Sequence, residues 1–127
     1  GVELALACDV RVCTERSTFA ESGVTLGLFG AWGGTGRLVE TVGKSAAMDL
    51  SLSGRVLDTD EAAQIGLVSR VVEDPETVAH EIAANDHDAV RAIKGLLADP
   101  ADRERQQERE RETFAALVEA RAQKRKD

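Results

Sequence analysis

Glycine ends one helix after another in this chain. Gly43, Gly54 and Gly66 each follow a stretch with helical apolar spacing, where a residue free to take a left-handed backbone can close the last turn. Asp58, with Glu61 three positions on, has the spacing of a capping box. Asp74-Pro75 and Asp99-Pro100 both set a capping acid ahead of a proline suited to a first turn. So much punctuation leaves room only for short elements. The spacing predicts a helix over 2–7, a strand over 9–13 and a turn over 14–17, then a short extended piece and a loop over 19–28. A helix through Leu38, Val39 and Val42 follows, then one over 45–53 with Ala46, Ala47, Leu50 and Met48 inward, and one from Asp58 to Gly66. A strand over 67–72 and helices over 75–84, 86–97 and 100–125 complete the reading. No internal repeat or low-complexity linker interrupts it.

A chain of 127 residues holds one modest core. With 43% apolar residues but only 3% aromatic, that core must be aliphatic. The net charge of −7 argues against non-specific nucleic-acid binding, which needs a basic surface to displace counterions. No stretch has the length of a membrane span, and no signal peptide is visible. Cys8 and Cys13 lack the further ligands of a zinc site, so no metal is expected. They read as reduced thiols, with the cytoplasm as the default setting.

The last helix divides into a charged half, with opposite-sign pairs at Arg105/Glu108, Glu108/Arg111 and Arg109/Glu112, and a half carrying the apolar stripe Phe114, Leu117 and Val118. That pattern predicts a solvated part and a docked part. His80 and His87 read as surface residues, far in sequence from any nucleophile pattern. Gly30, Gly33, Gly34 and Gly36 feed a helix N-terminus but match neither a P-loop nor a dinucleotide fingerprint. They could serve a tight turn, or exposed amides could face a substrate carbonyl or a water. Trp32 could wall a pocket or cover the core. Glu21 is either a solvated acid or part of a site. Glu3, inside the apolar run Gly1-Val2-Glu3-Leu4-Ala5-Leu6-Ala7-Cys8, needs a partner or a task if it is buried.

Several motifs in order resemble one family. Gly1-x-Glu3-Leu4-Ala5-Leu6-Ala7-Cys8-Asp9-Val10-Arg11, the segment from Phe19 to Leu26-Gly27, and Trp32-Gly33-Gly34-Thr35-x-Arg37-Leu38 are followed by Gly43-Lys44, Ala47-Met48-x-Leu50, Leu52-Ser53-Gly54-Arg55 and Glu61-Ala62 to Gly66-Leu67-Val68. Together they are similar to the second half of an enoyl-CoA hydratase/isomerase, or crotonase, superfamily protein. The likeness is strongest from residue 1 to about residue 72. It implies an α/β fold, part of a ClpP-like ββα spiral with C-terminal helices, and places the N-terminal half of that fold outside these residues. Residues 1–72 would form the second half of the spiral core. Residues 73–127 would form a helical region for packing and oligomerisation, as a homotrimer or hexamer.

The resemblance also implies chemistry. Family members bind acyl-CoA thioesters and hold the thioester oxygen with two backbone N–H groups, and hydratases add water across a double bond with two glutamates. Coenzyme A comes as part of the substrate, and no other cofactor is implied. Glu3 matches the first glutamate. The second is expected at the position of Gly23, with Glu21 two residues early, on the same face if the segment is extended. Catalysis is therefore expected from Glu3 with Glu21 as the candidate substitute, and substrate contacts from Gly1, Ala31, Trp32 and Gly33. One oxyanion glycine should lie just before Gly1. Lack of the second glutamate counts against a simple isomerase. The implied activity is hydration or dehydration of an acyl-CoA thioester through an oxyanion-stabilised enolate. Decarboxylation of an acyl-CoA, or a non-catalytic oligomerisation module, are the alternatives. Lys124, Arg125 and Lys126 would either reach the CoA phosphates of a neighbouring subunit or form a frayed basic end. The apolar first third would need a covering partner.

Overall fold

The computed structural model describes residues 1–29, 34–98 and 103–126. They form two compact units, Gly1–Pro75 and Glu76–Asp127. In the first, α1 (Val2–Leu6) leads into β1 (Val12–Cys13), a 3₁₀ helix (Ser22–Leu26), α2 (Gly34–Val42), α3 (Lys44–Ser53), α4 (Thr59–Gln64) and β2 (Arg70–Val71). The two strands pair in parallel, Val12 opposite Arg70 and Cys13 opposite Val71. Arg11 fastens this pair from the side. Its Nε donates to the Leu67 carbonyl at 2.8 Å and its Nη1 to the Cys8 carbonyl at 2.7 Å. Leu6, Cys13, Leu38, Ala47, Leu50, Leu57, Ala62, Leu67 and Val68 form the core. It is aliphatic, as the shortage of aromatics requires. Each leucine fully buried there stabilises the unit by roughly 1.5–3 kcal/mol.

The helix ends show why the chain turns where it does. Gly54 closes α3 at φ +66°, and a Cβ there would lie 2.9 Å from Val24 Cγ1, so a side chain would meet both backbone strain and crowding. Asp58 accepts from the Glu61 amide at 2.9 Å and caps α4. The Glu61 carboxylate does not return to the cap. It pairs instead with Arg55, whose guanidinium also reaches Asp49 Oδ2 at 2.8 Å. That contact holds the Glu61 carboxyl below its ordinary range.

Three expectations are corrected. The strands are shorter than 9–13 and 67–72, because burial of Leu67 and Val68 is achieved outside the ladder. The segment after Phe19 is not extended beyond a single antiparallel bridge from Phe19 to Leu57. It coils into the 3₁₀ helix, where Thr25 Oγ1 donates to the Ser22 carbonyl at 2.7 Å and gives the turn a local partner. Met48 is half exposed rather than inward, since Ala47 and Leu50 already define the buried face of α3.

The second unit comprises α5 (Glu76–Ala83), α6 (His87–Ala98) and α7 (Arg103–Lys126). Here α7 packs on α6. Arg109 Nη2 donates to the Gly95 carbonyl at 3.1 Å, and Lys124 Nζ meets Asp88 Oδ2 at 2.7 Å. Leu117 is partly covered, but Phe114 and Val118 remain exposed, so the expected docked stripe is only partly docked. His80 and His87 are exposed. Among the described residues, no helix is long and apolar enough to cross a membrane.

Candidate active site

Glu3 lies three positions before the buried Leu6 and so shares the face of α1 turned toward the core. There α1 packs against α2. The Glu3 side chain lies directly over Gly34, the first residue of α2 and itself buried. A Cβ at Gly34 would stand 2.8 Å from Glu3 Cγ, 3.3 Å from Cδ and 3.4 Å from Oε1. The glycine at this point is therefore occupied space, filled by another residue's side chain.

Glu21 comes to the same place from the other direction. It is the residue just before the 3₁₀ helix, with φ −101° and ψ 69°, and it is partly buried. A cleft of about 450 Å³ is lined by Gly1, Glu3 and Ala7 on one side, Ala20 and Glu21 on another, and Arg37 of α2. Next to it, a hollow of about 30 Å³ is bounded by Glu21, Gly23, Gly34 and Thr35, room on the order of one water molecule. Both acids thus approach Gly34, Glu3 by contact and Glu21 across the hollow. Burial pushes the Glu21 carboxyl above its ordinary value of 4.5. The Glu3 carboxylate pushes it further the same way, and the chain's first amine pulls against both.

At Gly23, where the resemblance puts a second glutamate, a side chain would be crowded by the backbone of the following loop. A Cβ there would meet the Leu28 carbonyl oxygen at 3.2 Å and the Phe29 nitrogen at 3.4 Å, while the Leu28 amide donates to the Gly23 carbonyl at 2.9 Å. The loop packs against this glycine, and Glu21 lines the cleft together with Glu3. Gly1 lies in the cleft wall. Ala31, Trp32 and Gly33 lie outside the described residues. Sequence reasoning missed Gly34 and Arg37 as parts of the site. Both stand in the Gly-Gly-Thr-x-Arg-Leu motif, whose spacing shows nothing of the glutamate that packs on it. Among the described residues, no group of three or more His, Cys, Asp or Glu could hold a metal ion. Cys8 and Cys13 are both free thiols, and burial raises the Cys13 pKa.

The enoyl-CoA hydratase/isomerase family model matches residues 1–126. The chain belongs to that family. A short-chain-enoyl-CoA hydratase of Clostridioides difficile is 44% identical over 103 residues, covering 76% of this chain and 66% of that protein. A mitochondrial enoyl-CoA hydratase of Pongo abelii is 40% identical over 91 residues, covering 67% of this chain and 31% of its own length. A Thermobifida fusca crystal structure in complex with CoA superposes with a TM-score of 0.87 at 34% identity, over 97% of this chain and 51% of that one. The same comparison against its complex with acetoacetyl-CoA gives 0.85 over 94% and 50%. The chain thus spans about half the length of these solved structures. Its fold is part of the crotonase fold, and the small parallel pair with its helices is the corresponding portion of the ββα architecture.

Proposed function

We propose that this chain carries the acid/base residues of an enoyl-CoA hydratase-like lyase, acting on an acyl-CoA thioester. The observation that carries the reading is the convergence of Glu3 and Glu21 on one cleft beside a water-sized hollow. Two carboxyls set in different surroundings can divide acid and base roles. Glu21, whose carboxyl is pushed up by burial and by Glu3, takes the acid role and gives a proton to C2 of the enoyl group. Glu3 takes a proton from the water whose oxygen bonds to C3. Exchange with solvent then resets both carboxyls. The charge that develops on the thioester oxygen needs fixed N–H donors, and the family pattern puts these in parts of the whole protein beyond these residues.

The similar structure that binds CoA and acetoacetyl-CoA supports an acyl-CoA substrate. The family pattern supports a homotrimer or hexamer and no cofactor beyond the CoA of the substrate. The two free thiols fit a cytoplasmic setting.

The test is hydration of a short-chain enoyl-CoA by the chain complemented with the residues that supply the oxyanion donors, in the parent and in Glu3→Gln and Glu21→Gln. General acid/base catalysis contributes about a hundredfold to ten-thousandfold, so each substitution should lower the rate by at least the smaller of these. A rate unchanged by Glu3→Gln would remove Glu3 from the chemistry, and no turnover with the oxyanion donors present would end the reading.

A further inference from the structure

We propose that Gly34 is a positioning residue, and that its missing side chain is what allows Glu3 to lie against the start of α2 and present its carboxylate to the cleft. The proposal rests on the reading of Glu3 as an acid/base residue. Among the described glycines, those at 27, 43, 54 and 66 have positive φ, and each can be explained by its backbone. Gly34 cannot. It is the first residue of α2 and has no positive φ, so its backbone does not call for glycine. What it provides is space, and that space is filled by Glu3, with atoms at 2.8, 3.3 and 3.4 Å from where a Cβ would stand. Gly36, two residues on in the same helix, has nothing within 4 Å of its Cβ position, so a glycine-rich helix start does not by itself explain the contact.

The consequence is specific. An alanine at 34 places a methyl group on Glu3 Cγ, near the root of that side chain. The nearest atom is not a free tip that can swing aside without moving the carboxylate. Because Glu21 shares the hollow with Gly34 and feels the Glu3 charge, a displaced Glu3 is reported by Glu21.

The experiment is a cycle of four chains: the parent, Gly34→Ala, Glu3→Ala and the double variant. Each is checked by far-UV circular dichroism, and the Glu21 carboxyl is titrated by NMR of its carboxyl carbon. The expected result is a Glu21 midpoint in Gly34→Ala that departs from the parent's with the helical signal kept. Adding Gly34→Ala to Glu3→Ala, where the methyl meets no side chain beyond Cβ, should move it no further. An identical midpoint in the parent and in folded Gly34→Ala overturns the proposal. So does an equal displacement in both backgrounds, which would mean that the substitution acts through the helix. If Gly34→Ala unfolds the parent, recovery of folding in the Glu3→Ala background supports the contact, and failure in both overturns it. None of these readouts requires turnover. Absence of turnover with the oxyanion donors present would therefore end the functional reading and leave this contact standing. In a chain with measurable turnover, the misplacement should lower kcat by about a hundredfold and leave KM nearly unchanged.

Discussion

The unit Gly1–Pro75 is organised around buried side chains, whereas among the described residues of Glu76–Asp127 only Val78 is buried. The first unit encloses an aliphatic core and brings α1, the 3₁₀ helix and α2 around one cleft. The second relies on helix-on-helix contact, a guanidinium on a carbonyl and an exposed ion pair. The difference bears directly on chemistry. An acid changes its proton affinity when surrounding atoms displace water and a like charge stands near, and Glu21 has both conditions. At Asp88, on the second unit, the small effect of burial is outweighed by a cation. Its shift is downward, caused by its hydrogen bond to Lys124. Two acids in one chain are thus moved in opposite directions by the kind of packing around them.

The sharpest way to break this contrast is to cut a side chain from each unit. Leu38→Ala, at a residue 1% exposed, should cost about 2–5 kcal/mol in urea unfolding. Phe114→Ala, at a residue 70% exposed, should stay within about 0.5 kcal/mol. Equal losses would mean that the two units are not held together differently. Asp58→Ala comes next. It removes the cap that accepts from the Glu61 amide and should cost about 1 kcal/mol, read in the same unfolding experiment.

A smaller effect depends on pH. Because the folded Glu21 carboxyl lies above its ordinary value of 4.5, the native state holds more protons than the unfolded one just above that value. Stability of the parent should therefore fall as pH rises through the raised range. Glu21→Gln should not share this loss, so its stability relative to the parent should grow from acid to neutral pH. Thermal melts across that range would show it, and a difference independent of pH would contradict it.

The smallest effect belongs to the second unit. Lys124→Ala removes an exposed pair, which is worth little and is screened by salt. Asp88 is held below 3.8 and Lys124 above 10.5. Whatever the pair contributes is present between those values, fading as pH falls through the lowered Asp88 value or rises through the raised Lys124 value. Melts at low and high salt should differ only slightly.

Much of this was legible because local rules and packing agreed. Gly54 and Gly66 end their helices, Asp58 caps α4, and Leu38, Ala47 and Leu50 are inside. Elsewhere the sequence carried a pattern without its partner. Arg55 takes the Glu61 carboxylate from the capping box, and nothing in the Asp-x-x-Glu spacing reveals that competitor. The coil at Ser22–Leu26 was hidden by β-branched Val24 and Thr25, which resemble a strand until the Thr25 hydroxyl finds the Ser22 carbonyl. At the site, the resemblance pointed to Glu3 and left Glu21 in doubt by two residues. What the spacing could not show was three-dimensional: a loop packed against Gly23, and a glutamate lying on Gly34. The basic tail was open to two readings, and Lys124 is paired with Asp88.

The central claim is that Glu3 and Glu21 work as a pair in one cleft, and the titration of Glu21 tests it most directly. Carboxyl-carbon NMR of the parent chain should place the Glu21 midpoint above 4.5, the ordinary value for this carboxyl, and Glu3→Gln should lower it by removing the neighbouring charge. A midpoint at or below the ordinary value, or one that does not move when Glu3 loses its charge, would contradict the pairing.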